Sequence, residues 1–275
     1  MTSLMRKLCI GMCLWHACAA WAIHYDIELR TSGGPVPNSR VITEFFGDLD
    51  LAGRLPIDAA TGYQIFPAYF SDLAGGPYLT ANPGFQAFAG TFLKGEVIQF
   101  RALGKLQYWN PVTGRWGLAP EGTELILFGG IPDEIIVGYV QNPTQWAEQY
   151  NYYNNGTRFS RTGVVGPPTA IIDDAKKDGS FHAHLDWKIV ARNGVPPAGV
   201  YMVSLSLWST TLNGSQPKYL VSKPFSVIFE RGVPEAQMRQ ALGARISPPV
   251  SPGGTTPTAG IPYAPWAPPE AVVPR

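Results

Sequence analysis

The sequence predicts an all-β protein, an antiparallel β-sandwich or jelly roll with a short C-terminal helix and a disordered tail. Glycine (30) and proline (26) are plentiful, and only 15% of the residues are charged. Short apolar or alternating runs follow one another, separated by turn signals, and few stretches show the 3.6-residue period of a helix. This pattern is typical of sandwiches and jelly rolls, in which many short strands are joined by tight turns.

Residues 1–22 are interpreted as a secretory signal peptide. Arg6 and Lys7 precede an apolar run that ends in the small-x-small pattern Ala20-Trp21-Ala22. The alternative is a membrane anchor, but the run is shorter than the ~20 apolar residues that a span requires. We therefore expect a secreted or periplasmic bacterial protein that has no transmembrane segment after the signal is cleaved.

Cysteine content and charge limit the chemistry of the mature chain. Cys9, Cys13 and Cys18 all lie in the signal, so a metal site would have to use His, Asp and Glu. Cleavage of the signal removes Arg6 and Lys7, so the formal net charge of the chain changes from +1 to −1. No basic block is present, which argues against nucleic acid as a partner.

Two predicted strands, 23–31 and 179–190, each place histidine in phase with carboxylates. Alternate residues of a strand point to the same face of a sheet. The in-phase polar residues are His24, Asp26 and Glu28 on the first strand and His182, His184 and Asp186 on the second. Each strand therefore presents a His-x-Asp pattern on one face.

These residues predict a metal site. Imidazoles two residues apart on a strand can converge on one cation at ~2.0–2.1 Å from each nitrogen. If the first strand lies beside the second, His24 joins His182 and His184, and Asp26, Glu28 or Asp186 supplies a further ligand or orients an imidazole. Imidazole-rich sites without thiolates suit zinc, copper(II), nickel(II) or iron(II), and the spacing does not choose among them; zinc is the first expectation and copper(II) the second. The other interpretation is a polar sheet face that binds nothing.

The remaining elements complete one β domain, residues 23–233. Residues 105–117 are typical of a hairpin that bears Tyr108, Trp109 and Trp116, and further strands are expected near 200–210 and 218–232. Residues 143–153 are compatible with a short helix, 150–156 are interpreted as a tyrosine-rich loop, and 173–180 as a solvated charged turn. Pro234 at a first turn favours a short helix over 234–245. The Pro/Gly-rich segment 246–275 predicts a disordered tail.

Five stretches together resemble a known family. They are HYDIEL (24–29), ANPGF (81–85), FHAHLDW (181–187), PPAGVYMVSLSL (196–207) and SKPFSVIFERG (222–232). They look like the secreted all-β proteins whose genes are repressed by the zinc uptake regulator, which often carry an exosortase sorting tail. The positions that match the family pattern are His24, Asp26, His182, His184, Asp186, Gly199, Val200, Tyr201, Pro224 and Phe225.

The resemblance implies a secreted protein that is linked to zinc limitation and binds the metal. One departure is that the C-terminal segment lacks the Pro-Glu-Pro motif, apolar span and basic cluster of an exosortase signal. We therefore expect a soluble periplasmic or secreted protein rather than one sorted to the surface.

Three functions are compatible with the sequence. The first is metal capture or homeostasis through His24, His182 and His184 with a carboxylate. The alternative is a carbohydrate- or surface-binding module that uses Trp109, Trp116 or the 150–156 segment, because aromatic faces stack on flat apolar surfaces. The third is a metallohydrolase that uses the same histidines, although no nucleophile motif, metalloprotease helix signature or phosphate loop supports catalysis.

Overall fold

The structure, a computed structural model, describes residues 26–47, 55–70, 76–211 and 218–246 and confirms the predicted all-β class. The strands are β1 Asp26–Thr31, β2 Val41–Phe46, β3 Gln64–Tyr69, β4 Leu79–Thr80, β5 Gly84–Ala87, β6 Glu96–Asn110, β7 Arg115–Leu118, β8 Thr123–Leu127, β9 Thr157–Ser160, β10 Gly163–Val165, β11 Thr169–Asp174, β12 Phe181–Ala183, β13 Trp187–Ala191, β14 Gly199–Thr211 and β15 Phe225–Arg231. The helices are α1 Asp133–Gly138, α2 Pro143–Asn155 and α3 Glu235–Ile246. Within these ranges no helix is both long and apolar enough to span a membrane.

The strands form three sheets around one large core. The largest has the order β11-β6-β14-β15-β3, with β7 paired to β6, and the others are β10-β9-β8-β13-β4 and β12-β5-β1-β2. Aromatic contacts join the sheets: the rings of Trp187 and Phe229 lie 5.0 Å apart, and those of Phe46 and Phe66 lie 5.6 Å apart. One cluster of buried apolar side chains includes residues of all three sheets. The largest sheet therefore faces the two smaller ones, as in a sandwich.

The prediction of one continuous strand over 179–190 is wrong. The structure divides this segment into β12, which pairs with β5, and β13, which pairs with β8 in another sheet. Residues 184–186 connect the two strands, and the carbonyl of Asp186 accepts a hydrogen bond from Phe128 N, 3.0 Å away. Leu185 and Trp187 are buried on either side of Asp186, so core packing holds this change of sheet.

The predicted C-terminal helix is present as α3, which packs on the hairpin of β6 and β7. On the buried face of α3 lie its residues Met238, Ala241 and Leu242. Trp116 Nε1 donates a hydrogen bond to the carbonyl of Ala241 at 2.8 Å. Trp109 is only 5% exposed and meets Trp116 edge-on, with ring centroids 5.9 Å apart. The two tryptophans therefore anchor α3. Ile246 ends the helix, and the predicted tail beyond it, like the predicted signal peptide, lies outside the described residues.

The interpretation of 150–156 as a loop is wrong, because most of it forms the second half of α2. Pro143 occupies the first turn of α2, and Gly156 ends it by donating its backbone N–H to the carbonyl of Tyr152 at 2.8 Å. Trp146 stacks on Tyr150, with ring centroids 5.7 Å apart. The structure thus agrees with the alternative of a short helix over 143–153 and extends it to Asn155, although none of its residues is fully buried.

Candidate metal centre

Three of the predicted ligands meet at one edge of the sheet β12-β5-β1-β2. Asp26 is the first residue of β1, His182 is the central residue of β12, and His184 follows the end of that strand. The sequence predicts that the two strands lie side by side, but β5 lies between them. It pairs in parallel with β1 and antiparallel with β12.

Gly84 of β5 lets the side chains meet across the intervening strand. Neighbouring strands are about 4.8 Å apart, so β1 and β12 are separated by about twice that distance. Gly84 pairs with Asp26, and a Cβ atom at this position would lie 2.3 Å from Asp26 Oδ1 and 2.8 Å from His184 Cε1. Only glycine leaves the space that the carboxylate and the imidazole occupy together.

The ligand atoms of Asp26, His182 and His184 form a tight triangle. His182 Nε2 is 3.0 Å from Asp26 Oδ2 and 3.0 Å from His184 Nε2, and His184 Nε2 is 3.6 Å from Asp26 Oδ1. Ligands at ~2.0–2.1 Å from a tetrahedral zinc ion lie ~3.3 Å apart. The observed separations bracket this value, so one cation fits between the three residues with little movement.

A backbone hydrogen bond sets the orientation of the His184 ring. Its Nδ1 lies 3.0 Å from the carbonyl oxygen of Ala81, which can only accept. Nδ1 must therefore carry the hydrogen, and in the neutral ring Nε2 presents a lone pair toward Asp26 and His182. Metal-binding histidines are commonly held in this way, with the second nitrogen donating to a carbonyl.

The carboxylate of Asp26 is buried in a setting that favours a cation. Asp26 is 1% exposed, and no described residue donates a hydrogen bond to its Oδ1 atom. A buried ionised carboxylate is unfavourable unless a positive charge or donors compensate it. The His182 side chain is 47% exposed, so ions can enter from its side. Among the described residues, these three form the group whose geometry suits a metal ion.

The other predicted ligands are placed differently. His24 lies outside the described residues. Glu28 is buried on β1, but its Oε1 accepts a hydrogen bond from Arg30 Nε at 2.5 Å, and it is not part of the three-residue group. Asp186 also lies outside that group, because the chain leaves β12 before reaching it.

Asp186 instead lines a cavity of about 330 Å³ that is also lined by His184. The cavity extends from His184 to the helical hairpin of α1 and α2, where Ile136 and Tyr153 form part of its wall. The metal group and this cavity therefore share one imidazole.

Sequence reasoning missed two contributions from the ANPGF segment, the carbonyl of Ala81 and the open space at Gly84. Both lie in a stretch whose Pro-Gly pair signals a turn. That signal did not indicate that the turn lies against a histidine 103 residues away.

Comparison of the chain with protein-family models, curated proteins and solved structures finds no match. The function is therefore inferred from the site itself.

Proposed function

We propose that this protein binds a divalent cation outside the cytoplasm through Asp26, His182 and His184, with zinc as the expected metal and copper(II) as the alternative. The observation that carries the proposal is that one ligand atom from each of the three residues lies within 4.8 Å of the other two. One of these atoms belongs to the buried carboxylate of Asp26. Two imidazoles and one carboxylate form a common donor set for zinc. The same donors also bind iron(II), so metal analysis has to distinguish these ions.

His24 remains the predicted further ligand. It lies two residues before Asp26 in the sequence, and a chain that stays extended there would present both side chains on one face. With His24 the site would hold three imidazoles and one carboxylate. Without it, a coordination position stays available to water or to a recipient molecule, which suits capture and release.

The proposed role is capture, buffering or delivery of the metal. The signal-peptide pattern of residues 1–22 and the resemblance to secreted proteins under the zinc uptake regulator support this role. Three stretches that carry the resemblance supply parts of the site: HYDIEL provides Asp26, ANPGF provides Ala81 and Gly84, and FHAHLDW provides both histidines. If the signal peptide is cleaved after Ala22, the exported protein begins at Ile23. Mass spectrometry of the exported protein tests this.

The decisive experiment measures metal content and affinity. The protein is produced from the complete sequence, purified without a histidine tag, analysed by mass spectrometry for bound metals, stripped with chelator and titrated with zinc in a competition assay. We expect one zinc ion per chain. The double variant His182→Ala/His184→Ala is expected to lose at least 100-fold in affinity, because two of the three described ligands are gone.

Glu44→Gln is the matched control. Glu44 is an exposed carboxylate on β2, the neighbour of β1, and its loss should leave zinc affinity unchanged. If the unaltered protein binds no zinc, copper(II) or iron(II) below micromolar concentrations, the proposal fails. It also fails if the double variant binds as tightly as the unaltered protein.

The described residues do not favour a carbohydrate site at the hairpin or hydrolysis, whereas the 150–156 part of the first alternative stays open, because Tyr150 and Tyr153 are 50% and 49% exposed. Carbohydrate binding at the hairpin needs an exposed aromatic platform, whereas Trp109 is buried and Trp116 lies against α3. Hydrolysis needs a carboxylate placed as a general base at the metal, and Asp186 lies outside the metal group.

A further inference from the structure

The cavity beside His184 has the size and walls of a small-ligand site. Its volume of about 330 Å³ is at the lower end of the range for ligand pockets. For scale, an engineered cavity of ~150 Å³ holds benzene. A molecule with one ring and a short polar arm therefore fits.

Apolar groups and bare backbone form most of the cavity surface. Gly129 and Gly130 pack directly on β11, where Gly130 N donates to the carbonyl of Ile171 at 2.7 Å, and no side chain from either glycine can enter the space. Leu185 is 4% exposed and lies at the inner end. Ile136 and Tyr153 are 44% and 49% exposed, so the cavity opens to solvent along α1 and α2.

Asp186 is the acidic residue among those that line this largely apolar cavity. It is partly buried, and no described residue makes a hydrogen bond or ion pair with its carboxylate. Among the described residues that line the cavity, none is a lysine or an arginine. A carboxylate beside apolar walls is best complemented by a ligand that brings its own positive charge.

We propose that this cavity binds a small amine with an apolar body, the ammonium group meeting Asp186 and the apolar part lying between Leu185, Ile136 and Tyr153. This inference goes beyond metal binding and does not require it. Because His184 belongs to both sites, occupation of one is expected to change affinity at the other, and by the same factor in both directions.

The test compares three probes with the same phenyl body and different charge: phenethylamine, 2-phenylethanol and phenylacetate. Each is titrated into the full chain in chelator, and binding is followed by chemical-shift changes of the protein amides. We expect millimolar binding for phenethylamine, and binding at least about tenfold weaker for the alcohol and for phenylacetate. A hydrogen-bonded charge pair contributes ~1.5–3 kcal/mol, which corresponds to about tenfold or more.

Two pairs of variants localise the binding. Asp186→Asn should abolish the preference for the amine, whereas Glu148→Gln, which removes an exposed carboxylate from α2, should not. Ile136→Ala should weaken binding, whereas Val137→Ala should not, because Val137 is 82% exposed and does not line the cavity.

Equal binding of the three probes to the unaltered protein would overturn the proposal. It would also be overturned if phenethylamine showed no binding at about 20 mM, since a ligand this small is expected to bind in the millimolar range. These outcomes are read in chelator and are independent of zinc affinity. Failure of the metal proposal is seen separately in the zinc titration.

Discussion

His184 Nδ1 lies 3.0 Å from the carbonyl oxygen of Ala81, a contact that joins two parts of the chain 103 residues apart. The ring is fixed before any metal arrives, with Nε2 turned toward Asp26 and His182. Preorganisation of this kind reduces the ordering that binding has to drive. For the proposed metal binding, this contact would contribute more to affinity than its own hydrogen-bond energy indicates.

This contact predicts the tautomer of His184. At a pH where the ring is neutral, the hydrogen is expected on Nδ1 and the lone pair on Nε2. Long-range ¹⁵N–¹H correlation spectra of the metal-free protein report which nitrogen is protonated. A hydrogen on Nε2 would contradict the prediction.

Gly84→Ala is expected to reduce zinc affinity by about 10- to 100-fold, the range found for residues that support metal ligands. The new Cβ would lie 2.3 Å from Asp26 Oδ1 and 2.9 Å from His184 Nδ1, so at least one ligand must move. A competition titration with a zinc chelator measures the change.

Gly117→Ala is the control for Gly84→Ala. Gly117 also lies on a strand, β7, but a Cβ atom there would have no neighbour within 4 Å among the residues that the structure describes. Its zinc affinity should equal that of the unaltered protein. An equal loss in both variants would show that glycine in any strand matters, and the specific role of Gly84 would be rejected.

Zinc should stabilise the folded protein. A ligand at 100 times its dissociation constant adds ~2.7 kcal/mol to the free energy of unfolding, or ~5–10 °C in Tm for a chain of this size. Asp26→Asn removes the buried charge that faces the cation and is expected to abolish most of this shift. Glu44→Gln should keep it. Thermal melts with and without zinc measure both, and a full shift in Asp26→Asn would exclude Asp26 as a ligand.

Trp116→Phe is expected to destabilise the fold and to leave zinc affinity unchanged. The substitution removes the hydrogen bond from Nε1 to Ala241 O and leaves the carbonyl without that donor, a loss of about 1–2 kcal/mol. Trp208→Phe is the matched control, because its buried Nε1 has no hydrogen-bond partner among the described residues. Urea unfolding should show a smaller loss for Trp208→Phe. If the two losses are equal, the Ala241 contact contributes nothing.

Part of the site could be predicted from the sequence because strand geometry is local. Because side chains alternate along a strand, His182 and His184 are predicted on one face of their strand, and Asp26 is predicted on the same face of its strand as His24 and Glu28. Which strands become neighbours is not local. The placement of β5 between β1 and β12 depends on a parallel pairing of Asp26 with Gly84, which no turn or short connection specifies.

The same limit explains the errors at Asp186 and at 173–180. The alternation through Asp186 predicts one face, but burial of Leu185 and Trp187 in the shared core bends the chain into another sheet. The charges of 173–180 suggest a solvated turn, and residues 176–178 are indeed exposed, with a turn at 177–178. Asp173 and Asp174, however, end β11, and Asp174 is 8% exposed, with its Oδ1 accepting a hydrogen bond from Asp133 N of α1. Tertiary packing decides both cases, and a single sequence does not encode it in any short pattern.

The carboxyls at the end of β11 predict a pH dependence of stability. Burial, followed by the hydrogen bond with Glu134 and its charge, raises the pKa of Asp174 to about 7, and burial raises the pKa of Asp173 to about 6. The folded protein therefore binds more protons than the unfolded chain between about pH 4 and pH 7. Its free energy of unfolding should fall as pH rises through this window and level off above it.

Asp174→Asn isolates this effect. The amide oxygen can still accept the hydrogen bond from Asp133 N, 3.1 Å away, but no charge develops as the pH rises. Relative to the unaltered protein, the variant should gain about 1–3 kcal/mol of stability between pH 4 and pH 8. Urea unfolding of both proteins in chelator at several pH values measures the difference. Glu148→Gln, the control, should show no such trend. If the difference in the free energy of unfolding between Asp174→Asn and the unaltered protein does not change with pH, the Asp174 carboxyl titrates alike in the folded and unfolded states, and the prediction is wrong.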